Sequence, residues 1–184
     1  MNTPASDEKL LKALAVALVT HPRGTLKEIA EAAGISKATL NRYCGTRDQL
    51  IERLMNHGAQ VMNLVIHNAG LDEHPVLDAL HRLISEHLAH REVLAFIAFE
   101  WRPDSLDEPS GGARWLPYGD ALDAFFLRGQ QEGVFRVDIT ARELTEIFIS
   151  LVFGLVDAER RGRVARAGMA AVIEKFFLKG AASP

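Results

Sequence analysis

From Ser36 to Tyr43 the chain reads Ser-Lys-Ala-Thr-Leu-Asn-Arg-Tyr. Around a single leucine these residues offer hydroxyls, a carboxamide and two cations. Such a set suits hydrogen bonding to a polar polyanion. Lys37 and Arg42 match a phosphate or the acceptor edge of guanine, and Asn41 matches adenine. Ala38 is small enough to approach a base edge or a thymine methyl, and Thr39 shares that side of the helix. Thr25, Ser36, Tyr43 and Thr46 offer hydroxyls to phosphate oxygens. Arg47 adds a cation in a first helical turn, where free backbone N–H groups also meet an anion. The same composition describes a plain solvated helix face, and spacing alone does not separate the two.

The elements around this stretch must position it. Leu11, Leu14, Ala15 and Leu18 follow a helical spacing, predicting a first helix over about 6–20. His21-Pro22-Arg23-Gly24 breaks it. Thr25 with Glu28 three residues on reads as a capping box for a short helix that buries Leu26, Ile29, Ala30 and Ala33. Gly34 stands where a helix end needs a left-handed residue. Ser36 caps the next helix, which runs to about Tyr43 and is held by Leu40, Cys44 and Ile35. Thr46 caps a long fourth helix, with Asp48 in its first turn and an apolar stripe through Ile51, Leu54, Gly58, Val61, Met62 and Val65. Two short helices joined by a tight glycine turn are the helix-turn-helix layout, whose second helix lies in the major groove.

The segment "IAEAAGISKATLNRYCGTRDQL" closely resembles the DNA-binding segment of the TetR family of bacterial transcriptional regulators. Ile29, Ala30, Gly34, Ile35, Ser36, Leu40, Tyr43, Arg47, Asp48 and Leu50 carry the pattern in register. There are two departures. Asn41 stands where the family usually has an aromatic residue, and Cys44 where it has Phe. Asn41 trades an aromatic contact for a hydrogen-bonding reader, so operator preference does not transfer. Cys44 reads as a small buried apolar residue. The resemblance covers roughly the first third of the chain. "GQQEGVFRVD" and the apolar helix after it are similar in plan to the link before the family's dimerising helices.

Composition agrees with a folded chain. The 184 residues are 48% hydrophobic, and one cysteine allows no internal disulfide, which fits a reducing compartment. The N-terminus lacks a basic signal-peptide region, and the longest apolar run, 147–156, is too short to span a bilayer. These features predict a cytoplasmic location and no membrane partner. Net charge is −3, but residues 1–60 hold eight Lys/Arg against six Asp/Glu, and 61–184 hold thirteen against eighteen. The polar stretch therefore lies in the positive part, where a local basic face counts for more than the whole-chain sum.

Beyond Pro75 the periodicity stays helical, with helices predicted at about 75–90, 91–102, 112–132, 140–160 and 163–179. The expected fold is all-α with about nine helices: a helix-turn-helix DNA-binding domain over 1–50, then an effector-binding and dimerisation domain over 51–184. The helix around 147–156 is apolar nearly all round and must be buried on more than one face. Phe148, Leu151, Val152 and Leu155, with Val164, Ala171, Val172 and Phe176, are the candidate dimer interface. Phe96, Phe99, Glu100, Trp101, Trp115, Tyr118, Phe125 and Phe126 lie in the middle helices, where the resemblance implies an effector site. Ordinary core aromatics remain the alternative for each. His87 and His90 are helical neighbours, but without a carboxylate or thiol at fixed spacing they assign no metal. No cofactor and no enzymatic activity is expected, because no nucleophile triad, metal quartet or phosphate-cradling glycine loop is present. The resemblance implies a dimeric repressor that binds palindromic operator DNA and is released by a small-molecule effector. A regulator governed by a protein partner is the alternative, and it requires a middle region packed solid.

Overall fold

The computed structural model describes residues 4–100 and 112–182. The described residues form nine α-helices and one turn of 3-10 helix, with only an isolated bridge between Phe135 and Ala182. The helices are α1 Pro4–Thr20, α2 Leu26–Ala32, α3 Lys37–Tyr43, α4 Arg47–Ala69, α5 Val76–Ala89, α6 Arg91–Glu100, α7 Leu116–Gln131, α8 Ala141–Arg160 and α9 Met169–Ala181. The 3-10 turn, Ala113–Trp115, leads into α7.

Local chemistry sets the N-terminal junctions. Thr25, Ser36 and Thr46 each cap the helix that follows, and Thr25 and Thr46 do so within capping boxes. Gly34 takes φ +72° between α2 and α3, a conformation that costs a side-chain-bearing residue dearly. Leu14, Leu18, Ile29, Leu40, Leu50 and Leu54 are buried and join α1–α4 into one seam. α4 has 23 residues and spans about 34 Å, so it runs from the end of α3 deep into the rest of the molecule.

The C-terminal core is aromatic. Phe125, Phe126, Phe135, Phe148 and Phe177 meet mostly tilted or edge-on, with centroids from 5.1 Å (Phe125–Phe126) to 6.3 Å (Phe135–Phe177) apart. Gly129 on α7 makes room for Phe135, whose ring would overlap any Cβ there.

Two boundaries differ from the sequence expectation. The last helix starts at Met169 and not near 163, because Gly162 and Gly168 adopt φ +70° and +79° and turn the chain between them. Val164 therefore lies in a turn rather than on the α9 stripe. The helix expected at 112–132 begins as a 3-10 turn before Pro117 enters the first turn of α7. Trp101 and residues 102–111 of the expected loop lie outside the described residues.

Candidate nucleic-acid interface and effector cavity

α3 sits on α2 through Leu40, and Cys44 closes the seam at its C-terminus. The Cys44 thiol donates to the Leu40 carbonyl at 3.5 Å, and burial pushes its pKa up, which disfavours the reactive thiolate. With the inner face fixed, Lys37, Ala38, Asn41 and Arg42 are left exposed and Thr39 half-buried. Lys37 and Arg42 form no ion pair among the described residues, so both cations are available to an anion. Ser36 Oγ accepts from the Thr39 backbone N–H at 3.1 Å, which sets the pitch at the start of the helix.

Arg47 has a further task. Its guanidinium donates to the carbonyls of Pro22 (2.9 Å) and Gly24 (3.1 Å), tying the start of α4 to the turn before α2. Tyr43 is half-buried beneath Arg53, whose guanidinium carbon lies 5.0 Å from the ring centroid. Sequence reading missed Arg53, which reaches Tyr43 from the second turn of α4.

A cavity of about 780 Å³ opens among α4, α6, α7 and α8, within the range of roughly 300–1,000 Å³ typical of small-molecule sites. Met62, Ile97, Trp115 and Phe153 supply apolar wall, and Tyr118 and Thr145 supply hydroxyl-bearing wall. Asp120, Asp123, Arg142, Glu146 and Asp157 give it a mostly acidic polar margin. Arg142 pairs with Asp123 at 3.4 Å, and Asp157 takes Arg160 and Arg161. Asp120 and Glu146 have no ion-pair partner among the described residues.

Of the aromatic residues expected around an effector, Trp115 and Tyr118 reach this wall. Phe96, Phe125 and Phe126 are fully enclosed in the core, and Phe99 is partly exposed on α6. Glu100 ends α6 and is half-buried; it is not on the cavity wall.

His87 is fully buried behind Tyr118. Its Nδ1 donates to the Leu83 carbonyl at 2.7 Å, and the Tyr118 hydroxyl lies 2.7 Å from its Nε2. Both ring nitrogens are thus occupied, and none is left for a metal shared with His90. Burial holds its pKa down to about 4, so the ring is neutral.

On α8 and α9 the expected dimer residues divide. Phe148 and Val152 are enclosed within the protomer and have no surface to offer a partner. Leu151 and Leu155 are half-buried, Ala171 is exposed, and Val172 and Phe176 are 52% and 71% exposed. Ile147, 49% exposed on α8, extends the open apolar surface.

The family model for bacterial regulatory proteins of the tetR family matches residues 22–54, the span from the turn before α2 into α4. The chain is 59% identical over 184 residues to the HTH-type transcriptional regulator NfxB of Pseudomonas aeruginosa, covering 100% of this chain and 98% of that protein. The chain belongs to the TetR family. It is a DNA-binding transcriptional regulator and not an enzyme.

The chain is also similar, at lower identity, to two further regulators. The repressor LfrR of Mycolicibacterium smegmatis is 32% identical over 111 residues, covering 60% of this chain and 57% of that one. The crystal structure of LfrR in complex with proflavine superimposes with a TM-score of 0.76 at 24% identity, covering 95% and 94% of the two chains. AibR in complex with isovaleryl coenzyme A and operator DNA gives 0.71 at 18% identity, covering 92% and 96%. These two superpositions establish the shared fold. No described helix is long and apolar enough to cross a membrane.

Proposed function

We propose that this TetR-family chain is a repressor that binds a palindromic operator as a homodimer and releases it when a small molecule enters the cavity. In this reading residues 1–50 form the operator-binding head, residues 51–184 bind effector and partner, and the protein works in the cytoplasm, where the DNA is. The observation that carries it is the course of α4. This one helix starts at Arg47, which clamps the turn before α2, and passes Met62 on the cavity wall. A molecule that shifts the wall shifts the helix that seats the DNA-reading head. Ligand and operator must then weaken each other's binding by the same factor.

The open apolar surface of Ile147, Ala171, Val172 and Phe176 supports a two-fold pairing through α8 and α9. Such a pairing would set two recognition helices about 34–36 Å apart on successive major grooves. Thr25, Ser36, Lys37, Ala38, Thr39, Asn41, Arg42, Tyr43 and Thr46 form the DNA face, with Arg47 holding it in place. The acidic margin of Asp120 and Glu146 beside an apolar wall favours a cation with an apolar body. The relative LfrR is solved with proflavine, a molecule of that kind. A middle region packed solid, which partner-only regulation requires, is at odds with a cavity of about 780 Å³.

The test is fluorescence anisotropy of the full chain on DNA from upstream of its own gene, with scrambled DNA as reference and proflavine as the added ligand. Tight, sequence-selective binding that proflavine reverses is the expected result. Equal, salt-sensitive binding to both DNAs, or operator binding indifferent to every ligand in a broad screen, overturns the repressor-and-release reading.

A further inference from the structure

The acidic body of the molecule carries one arginine-rich turn. Residues 61–184 hold thirteen Lys/Arg against eighteen Asp/Glu, yet four of the thirteen, Arg160, Arg161, Arg163 and Arg166, fall within seven residues where α8 turns toward α9. All four are exposed. Carboxylates answer only part of this charge. Asp157 takes Arg160 at 2.8 Å and Arg161 at 2.7 Å, and Glu159 is shared by Arg91 at 3.8 Å and Arg166 at 3.9 Å. Glu92, beside them, is taken by Lys12 at 3.2 Å. Arg163 forms no ion pair among the described residues.

Helix termination accounts for the first two arginines and not for the others. Cations at the end of a helix meet its negative pole, which suits Arg160 and Arg161. Past them the chain closes a Schellman turn. Gly162, at φ +70°, donates its N–H to the Glu159 carbonyl at 2.8 Å, and the Arg163 N–H donates to the Ala158 carbonyl at 2.9 Å. An apolar residue often follows the glycine there and packs back on the helix; here the position holds an exposed arginine. With its backbone fixed by these bonds, Arg163 presents its guanidinium at a reduced ordering cost.

The turn lies against the DNA-binding head. A cleft of about 210 Å³ among α1, α6 and α8 is lined by Val16, Val19 and Thr20 of α1 together with Arg160 and Arg166. Thr20 ends α1, and two residues on, the Pro22 carbonyl accepts from Arg47 at the start of α4. Thr25, the cap of α2, follows at once, and Arg23 between them is exposed. The arginine turn therefore adjoins the end of the head that offers Arg23, Thr25 and Arg47.

We infer that Arg163 and Arg166, with Arg161 beside them, form a second DNA contact, through which the body of the regulator grips backbone phosphates flanking the bases read by α3. Guanidinium groups match phosphate oxygens in pairs, and a backbone contact reads no sequence. Duplex DNA is the polyanion that α3 already brings to this side of the molecule, which favours it over any other acidic partner. This contact rests on α3 lying in the groove; it adds affinity and salt dependence without adding specificity.

The test compares the full-length wild type with a variant carrying Arg163→Gln and Arg166→Gln. Anisotropy is measured on DNA from upstream of the protein's own gene and on scrambled DNA, from about 50 to about 300 mM salt. The slope of log affinity against log salt should be shallower by about two for each protomer bound, equally on both DNAs, with Tm unchanged. Replacing the same two residues by Lys should restore most of the slope. Lys175→Gln with Lys179→Gln makes the same charge change farther along α9, at exposed positions that do not line the cleft, and should leave the slope at its wild-type value. A slope in the arginine variant equal to that of the wild type, or lowered no further than in the lysine variant, overturns the contact and leaves α3 as the reader. Weakening on the upstream DNA alone overturns it too, because a backbone grip cannot tell the two DNAs apart. A wild type that binds neither DNA overturns both the contact and the reading of α3.

Discussion

In the helix-turn-helix the polar side chains point outward from a small buried seam, whereas around the cavity they point inward from a large one. The exposed set on α3 needs only Leu40 and Cys44 beneath it to be presented. The wall of the cavity draws on α4, α6, α7 and α8, and its Tyr118 is hydrogen-bonded to a histidine 31 residues away. The contrast teaches that a DNA-reading face is made by one short segment and its caps. A ligand-reading face is made by the packing of several long helices.

The largest effect expected from breaking this contrast lies under the recognition helix. Leu40→Ala opens a cavity in a seam with few members and should cost about 2–5 kcal/mol. Operator binding should vanish while proflavine titration of the C-terminal region changes little. Loss of both signals together would show that the two regions stand or fall as one.

Acid comes next, and it acts on the other region. His87 stays neutral in the folded chain down to about pH 4, whereas an unfolded histidine takes up its proton near 6.5. Below about pH 6.5 the unfolded chain therefore binds a proton that the folded chain does not. Stability should fall by up to about 1.4 kcal/mol per pH unit, roughly 3 kcal/mol in all by pH 4. Urea unfolding at pH 7, 5.5 and 4.5 measures this slope, and His87→Leu should flatten it.

A smaller effect belongs to the DNA face. Asn41→Ala should weaken operator binding by roughly 10- to 100-fold and relax preference at one base pair. Lys37→Ala should weaken operator and scrambled DNA alike and reduce the salt slope by about one. Anisotropy across a salt series distinguishes the two. The smallest change is Ser36→Ala, which removes the cap on α3 at about 1 kcal/mol. Its cost should show in thermal melting, separately from any lost phosphate contact.

The residues before about position 50 were legible because their structure is local. The capping boxes at Thr25 and Thr46, the cap at Ser36 and the turn at Gly34 each need only three or four neighbouring residues. Helical periodicity likewise marked the later helices, but it missed the turn between Gly162 and Gly168 because Val164 and Ala171 keep a helical spacing across it. Burial was the harder quantity. Phe148 and Phe176 look alike in an apolar run, yet one is enclosed in the protomer and the other is 71% exposed.

By itself the sequence determined an all-α chain, the helix-turn-helix and the side chains it presents, since propensity, caps and spacing act over a few residues. Tertiary structure alone decided that Arg47 clamps the turn before α2, that Arg53 covers Tyr43, and that the Tyr118 hydroxyl meets His87. Those contacts join groups far apart in the chain. Their geometry follows from how whole helices pack, which no local pattern encodes.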